Sequence, residues 1–136
     1  MQKAADTLHS FDVDADVRVL SAHKTPDDAL EFAVNAAGTY SVIIAGAGKA
    51  AHLAGVMAAK TTLPVIGVPL SASLDGMDAL LATVQMPTGI PVATVAIDGA
   101  TNAALLAVAI LALKDETLSM KLTQYREDLR RQTLEG

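Results

Sequence analysis

Two of the chain's three histidines, His23 and His52, stand in or just after short loops, each with a lysine close by, Lys24 and Lys49. The loops read SAHKTP (21–26) and GAGKAAH (46–52). An imidazole exchanges a proton near neutral pH, so a loop histidine suits general acid–base work. A lysine beside backbone N–H groups at a helix start makes a site for phosphate or carboxylate. Two more loops, PLSASLDG (69–76) and the turn from Asp98 to Asn102, add hydroxyls and carboxylates. Taken alone, these loops support binding of a small anionic metabolite and nothing narrower. His52 suits capping or packing as well as chemistry, and Gly46 and Gly48 suit turning the chain. His9 reads as solvated and has no assigned role.

Such loops need a scaffold that gathers them at one end. Helix-like and strand-like periodicities alternate along the chain. Strands are predicted at Ala15 to Leu20, Ser41 to Ala45, Leu63 to Val68 and Val92 to Ile97. Helices are predicted at Met1 to Ser10, from Pro26 to before Gly38, at Ala50 to Lys60, Asp75 to Val84, Thr101 to Leu113 and Asp115 to Gln132. The second has clear signals: Thr25 as cap, Pro26 in the first turn, Asp27 and Asp28 at the positive end, Gly38 at the C′ position. Leu118, Leu122, Tyr125 and Leu129 share one face of the last helix. The order predicts an α/β fold, a parallel sheet covered by helices on both faces, in one domain over 1–136. In such a sheet the ligand crevice lies at the carboxyl ends of the strands, where all four loops emerge. A doubly wound domain normally opens on a strand; this one opens on a helix, which hints at a missing first strand.

Composition narrows the classes. At 136 residues the chain has the length of about one domain. Hydrophobic residues make up 51% but aromatics only 3%, so the core is Ala, Val, Leu and Ile, which suits close helix-on-sheet packing. The longest apolar run, Ala103 to Leu113, is well short of the roughly 18–20 residues of a membrane span and reads as a buried helix or subunit contact. No cysteine is present, which removes disulfides, thiol catalysis and thiolate metal sites. A net charge of −5 argues against a nucleic-acid surface. Arg126, Arg130 and Arg131 read as a solvated face. With no signal-peptide pattern, the expected compartment is the cytoplasm.

Familiar cofactor sites fit poorly. Gly46 to Ala51 formally matches a dinucleotide fingerprint, but no acid follows until Asp75, where the end of the next strand should hold a ribose. A P-loop fails because Ile43 replaces its first glycine and Ala50 its magnesium-binding hydroxyl. No carboxylate completes a metal set around the histidines, and the G-x-S-x-G elbow of a serine hydrolase is absent.

The segments SAHKTP (21–26), AGAGKAAHLAGVMAAKT (45–61), PVIGVP (64–69), VQMPTGIPVATVAI (84–97) and NAALLA (102–107) resemble the PurE family, the catalytic subunit of phosphoribosylaminoimidazole carboxylase, from end to end and in order. The resemblance implies a three-layer, flavodoxin-like α/β/α sheet and a cytoplasmic purine-biosynthesis enzyme. Its reaction moves a carboxylate from the exocyclic amine of N5-carboxyaminoimidazole ribonucleotide to ring C4, without ATP, metal or organic cofactor. It implies that His23 is the catalytic proton shuttle and that Ser21, Ala22 and Lys24 contact the substrate, with Ser21 and Lys24 on its phosphate. Gly46, Ala47, Gly48 and Lys49 would wall the imidazole and carboxylate, and His52 and Leu53 would close a pocket that retains CO2. It further implies a homo-octamer in which Gln85, Met86 and Pro87 reach a neighbour's site. A functional link to the ATP-dependent synthase that makes the substrate follows, with no nucleic acid or membrane partner.

Two departures qualify the match. Lys24 stands where the mutases usually carry arginine, keeping the charge but losing a two-pronged grip on phosphate. Lysine there also resembles the branch that carboxylates aminoimidazole ribonucleotide directly with CO2, whereas the AGAG-x-AAHL loop favours the mutase. Family members also begin with a strand and a GS-x-SD loop whose Ser and Asp bind the ribonucleotide. This chain begins inside the following helix, so Met1 reads as an internal methionine. A non-catalytic truncated homologue is the reading from a different class.

Overall fold

Short β-branched runs and alanine-rich helices build a parallel sheet between helix layers in the computed structural model, which describes residues 1–136. The elements run α1 (Gln2–Ser10), α2 (Pro26–Asn35), β1 (Ile43–Gly48), α3 (Leu53–Ala58), β2 (Val65–Leu70), α4 (Met77–Val84), β3 (Ala93–Thr94), α5 (Ala100–Leu111) and α6 (Glu116–Glu135). The three strands lie in the order β1-β2-β3, all parallel. Ile43 pairs with Val65, and the register holds to Gly48 and Leu70.

β2 is buried on both sides, and its alternation sorts the core. Ile66 and Val68 face α1 and α5, where they join Leu8, Ala104 and Val108. Val65 faces α2 and α3 with Ile43, Ala45 and Met57. Alanines at the helix contacts, such as Ala29, Ala33 and Ala103, are fully buried and let the helices lie close on the sheet. Gly67 marks a close approach of helix to sheet: a Cβ there would lie 2.4 Å from the Thr83 methyl of α4. Asp115 caps α6 by accepting from the Leu118 N–H at 2.9 Å, which turns Leu118 into the α1/α5 core. Tyr125 packs on Phe11 with ring centroids 5.7 Å apart, while Leu129 stays half exposed. Arg130 and Arg131 pair with Glu127 and Asp128 on the solvated face of α6. No helix is long and apolar enough to cross a membrane.

The three-layer α/β expectation holds, and several local expectations do not. Ala15 to Leu20 is no strand. It has no assigned regular structure, and no backbone group from Asp14 to Leu20 bonds another backbone group. The pattern suits a strand, but a ladder also needs a neighbouring edge, which this segment lacks. The last strand shrinks from Val92–Ile97 to Ala93–Thr94, although Val95 still donates to the Gly67 carbonyl at 3.1 Å. Gly46 to Gly48 belongs to β1 rather than to a loop, because its backbone continues the ladder with β2. Thr25 does hold the N-cap position of α2, its carbonyl accepting from the Ala29 N–H at 3.1 Å, but its hydroxyl makes no cap bond and accepts from the Ser21 N–H instead. Gly38 sits in a 3-10 turn, Ala36–Gly38, without the left-handed conformation expected of a C′ glycine.

Candidate functional site

The turn before α2 is tied by hydroxyls at both ends. The Thr25 N–H donates to the Ser21 carbonyl at 3.0 Å, and the Ser21 N–H donates to the Thr25 hydroxyl at 2.9 Å. Inside the turn the Ser21 hydroxyl accepts from the N–H groups of Lys24 at 3.1 Å and His23 at 3.4 Å. This fixes the backbone carrying His23. Its Nε2 lies 2.9 Å from Nδ1 of His52, which directly precedes α3, and the rings meet edge to face with centroids 4.8 Å apart. An imidazole pair at this distance needs one N–H and one lone pair, so one nitrogen donates and the other accepts. The first two loops are thus joined through the two groups best suited to move protons.

The remaining loops close in from β2. Gly48 has no room for a side chain, since a Cβ would lie 2.8 Å from that of Ala72. Lys49 follows with φ 55°, a left-handed turn that ends β1. The Ser71 N–H donates to Asp98 Oδ1 at 3.0 Å, and the Asp98 N–H donates to the Pro69 carbonyl at 2.8 Å, so the third and fourth loops are tied together. The Ser73 hydroxyl donates to Asp78 at the start of α4.

That bond from Ser73 is the main cause holding the Asp78 carboxyl below the usual aspartate range, with a smaller contribution from the charge of Lys49. A depressed carboxyl adds stability above its unfolded value of about 3.9 and loses it as pH falls through the lower folded value. Ser73→Ala should therefore return the Asp78 titration toward about 3.9, and the variant and parent should converge in stability as pH falls below that value. NMR titration of the Asp78 carboxyl carbon reads this directly; an unmoved midpoint would remove the hydroxyl as the cause.

The structure brings Ser21, Ala22, His23, Lys24 and His52 together, with Gly46, Ala47, Gly48 and Lys49 at the carboxyl end of β1. His23, Lys24, Lys49 and His52 are exposed, and neither lysine is in an ion pair. The enclosed pocket implied by the resemblance is not formed around the histidines within one chain. Leu53 and Gly46 instead line a separate apolar cavity beside β1. No three His, Asp or Glu side chains converge as a metal set. Sequence reasoning located the loops carrying Ser71, Ser73 and Asp98, and the helix carrying Asp78, but gave these residues no role. Their one signal was polar residues after a buried strand, which does not say which pairs meet.

Known proteins resemble this chain in sequence and in fold. The family model described as AIR carboxylase matches residues 1–132. The N5-carboxyaminoimidazole ribonucleotide mutase of Pyrococcus abyssi is 56% identical over 133 residues, covering 96% of this chain and 76% of its own length. That of Methanocaldococcus jannaschii is 55% identical over 130 residues, covering 96% of this chain and 82% of its own. The crystal structure of Treponema denticola PurE superposes with a TM-score of 0.88 at 28% identity, covering 98% of this chain and 85% of that one. Matched over nearly all its length by one family model, and at more than half identity by two relatives, the chain belongs to the AIR carboxylase family.

Proposed function

We propose that this chain converts N5-carboxyaminoimidazole ribonucleotide to 4-carboxy-5-aminoimidazole ribonucleotide in purine biosynthesis, as the names of its relatives suggest. The observation that carries the proposal is the 2.9 Å contact between His23 and His52 at the carboxyl end of the sheet. The N–C bond of the carbamate breaks, its electron pair returns to nitrogen, and nitrogen takes a proton. Ring C4 then attacks the freed CO2 and gives up its own proton. One carboxylate and one proton change places, so the step needs neither ATP nor a redox partner. His23 accepts the C4 proton and returns one to the amine, while His52 holds its ring in orientation. Ser21, Ala22 and Lys24 hold the phosphate end. Backbone donors of Gly46, Ala47, Gly48 and Lys49 face the imidazole and carboxylate, with Leu53 as an apolar wall.

Exposure of both histidines favours completion of the pocket by further copies, in a homo-octamer of single-domain protomers. Gln85 and Pro87 are exposed and accessible to a neighbour, whereas Met86 rests on Gly55 of its own α3. The enzyme acts in the cytoplasm, after the ATP-dependent synthase of its substrate. The test is product absorbance with N5-carboxyaminoimidazole ribonucleotide and no ATP, beside aminoimidazole ribonucleotide with bicarbonate. Turnover of the N-carboxylated substrate is the expected result. Turnover only of the other pair would reassign the chain to direct carboxylation, and none with either would leave it non-catalytic.

A further inference from the structure

Four of the five non-glycine residues with positive φ stand on one crest, beyond the carboxyl ends of the strands. Lys49 (φ 55°) follows β1, Leu74 (46°) and Asp75 (54°) follow β2, and Asp98 (57°) follows β3. Left-handed backbone is unfavourable for a residue with a Cβ and persists where surrounding contacts hold it. Those contacts centre on the tripeptide Ser71-Ala72-Ser73. Its first residue donates its N–H to Asp98 Oδ1 at 3.0 Å, and its last donates its hydroxyl to Asp78. Both aspartates are anchored at helix starts. Asp78 Oδ1 also accepts from the Ala79 N–H of α4 at 2.8 Å, and the Asp98 carbonyl accepts from the Ala100 N–H of α5 at 2.9 Å. Between these two pins the Ala72 methyl lies over Gly48, where a Cβ would meet it at 2.8 Å.

Gly48 ends β1, and the chain beyond it is tightly turned. After the left-handed Lys49, the Ala51 N–H donates to the Lys49 carbonyl at 2.8 Å and the His52 N–H to the Ala50 carbonyl at 2.9 Å. Two successive three-residue turns leave little slack between Gly48 and His52. A shift of the tripeptide over Gly48 is therefore passed to the His52 ring, whose Nδ1 lies 2.9 Å from Nε2 of His23. We infer that Asp78 and Asp98 are positioning residues for the histidine pair: they pin Ser71-Ala72-Ser73 onto Gly48 and so set how His52 meets His23. Neither carboxylate bonds an imidazole, so their influence runs through the chain. The inference rests on the proposed reaction only for its kinetic arm, because the imidazole contact is read without substrate.

Two variants release one pin each and suit the local backbone. Ser73→Ala removes the hydroxyl from an extended residue (φ −159°, ψ 162°), and Asp98→Gly removes the carboxylate where glycine accepts the left-handed φ. Ser73→Thr keeps the hydroxyl, and extended backbone accommodates its branch. Imidazole nitrogen NMR of the full chain reads the pair. In the parent, His23 Nε2 and His52 Nδ1 should give one donor and one acceptor signal. Both should move toward those of free, tautomer-averaged imidazole in Ser73→Ala and Asp98→Gly, and stay in place in Ser73→Thr. Ala72→Gly, which withdraws the methyl and leaves both pins, should move them too. With N5-carboxyaminoimidazole ribonucleotide, kcat should fall about tenfold in each releasing variant and about 10²-fold in the double variant, with KM within about twofold. Unmoved histidine signals in the releasing variants or in Ala72→Gly would overturn the inference. So would a Ser73→Thr chain as impaired as Ser73→Ala, or a rise in KM without loss of kcat. An inactive parent would end the proposed reaction instead, and the histidine signals would still decide the positioning role.

Discussion

His23→Asn should lower turnover of N5-carboxyaminoimidazole ribonucleotide by about 10²- to 10⁴-fold, the usual loss when a positioned general acid–base is removed. Asparagine is shorter than the imidazole and superposes on its Nδ1 side rather than on Nε2, so the bond to Nδ1 of His52 is lost along with the proton carrier. What asparagine lacks is a nitrogen that takes and releases a proton. His23 is exposed and belongs to no core cluster, so stability should stay within about 0.5 kcal/mol of the parent. Binding of the ribonucleotide, measured calorimetrically, should also persist, because in the proposed function Ser21 and Lys24, not His23, hold the phosphate end. Full turnover in the variant would end the proton-shuttle assignment. A loss of binding equal to the loss of rate would turn His23 into a binding residue only. His52→Ala separates orientation from chemistry: it removes the 2.9 Å partner but leaves the base, so a smaller rate loss is expected than for His23→Asn.

The largest stability effects are expected at the centre of β2, where two adjacent residues face opposite helix layers. Ile66 is fully buried against α1 and α5, and Ile66→Ala should cost about 2–5 kcal/mol through lost burial and the cavity left behind. That is a large fraction of the roughly 5–15 kcal/mol that separates a typical domain from its unfolded chain. Gly67→Val fails in the opposite way. Its Cβ would lie 2.4 Å from the Thr83 methyl, 3.0 Å from Val92 and 3.3 Å from Ala54. Thr83 cannot retreat easily, because it is buried and its hydroxyl donates to the Ala79 carbonyl at 2.7 Å. Overpacking of this kind costs about 1–3 kcal/mol or more. Urea unfolding curves of both variants decide the matter. A change under 0.5 kcal/mol in Ile66→Ala would mean that β2 is not the middle of the core.

The class of the fold was legible because burial leaves a period in the residues. Apolar runs of five or six at Ile43 and Val65, set between alanine-rich helical stretches, admit little besides a parallel sheet with helices on both faces. The histidines and lysines were legible as a group because loops after parallel strands collect at one end whatever their details. Those properties depend on neighbours along the chain, and sequence carries them.

Contacts between segments far apart obey no local rule, and there the sequence was silent or misleading. Ala15 to Leu20 has the residues of a strand, yet pairing is a property of two edges and this one faces the apolar cavity beside β1. Thr25 has the residue type of a cap, yet its hydroxyl is taken by Ser21, four positions back. That His23 meets His52 at Nε2 and Nδ1, and that Asp98 holds Ser71 while Asp78 holds Ser73, depends on how α3 and α4 lie against the sheet. A hydrogen bond needs atoms within about 3 Å, whereas a sequence pattern places an element end only to within a few residues. Residue type and spacing therefore settled which groups are available for chemistry. Packing of the helices on β1 and β2 decided which of them touch.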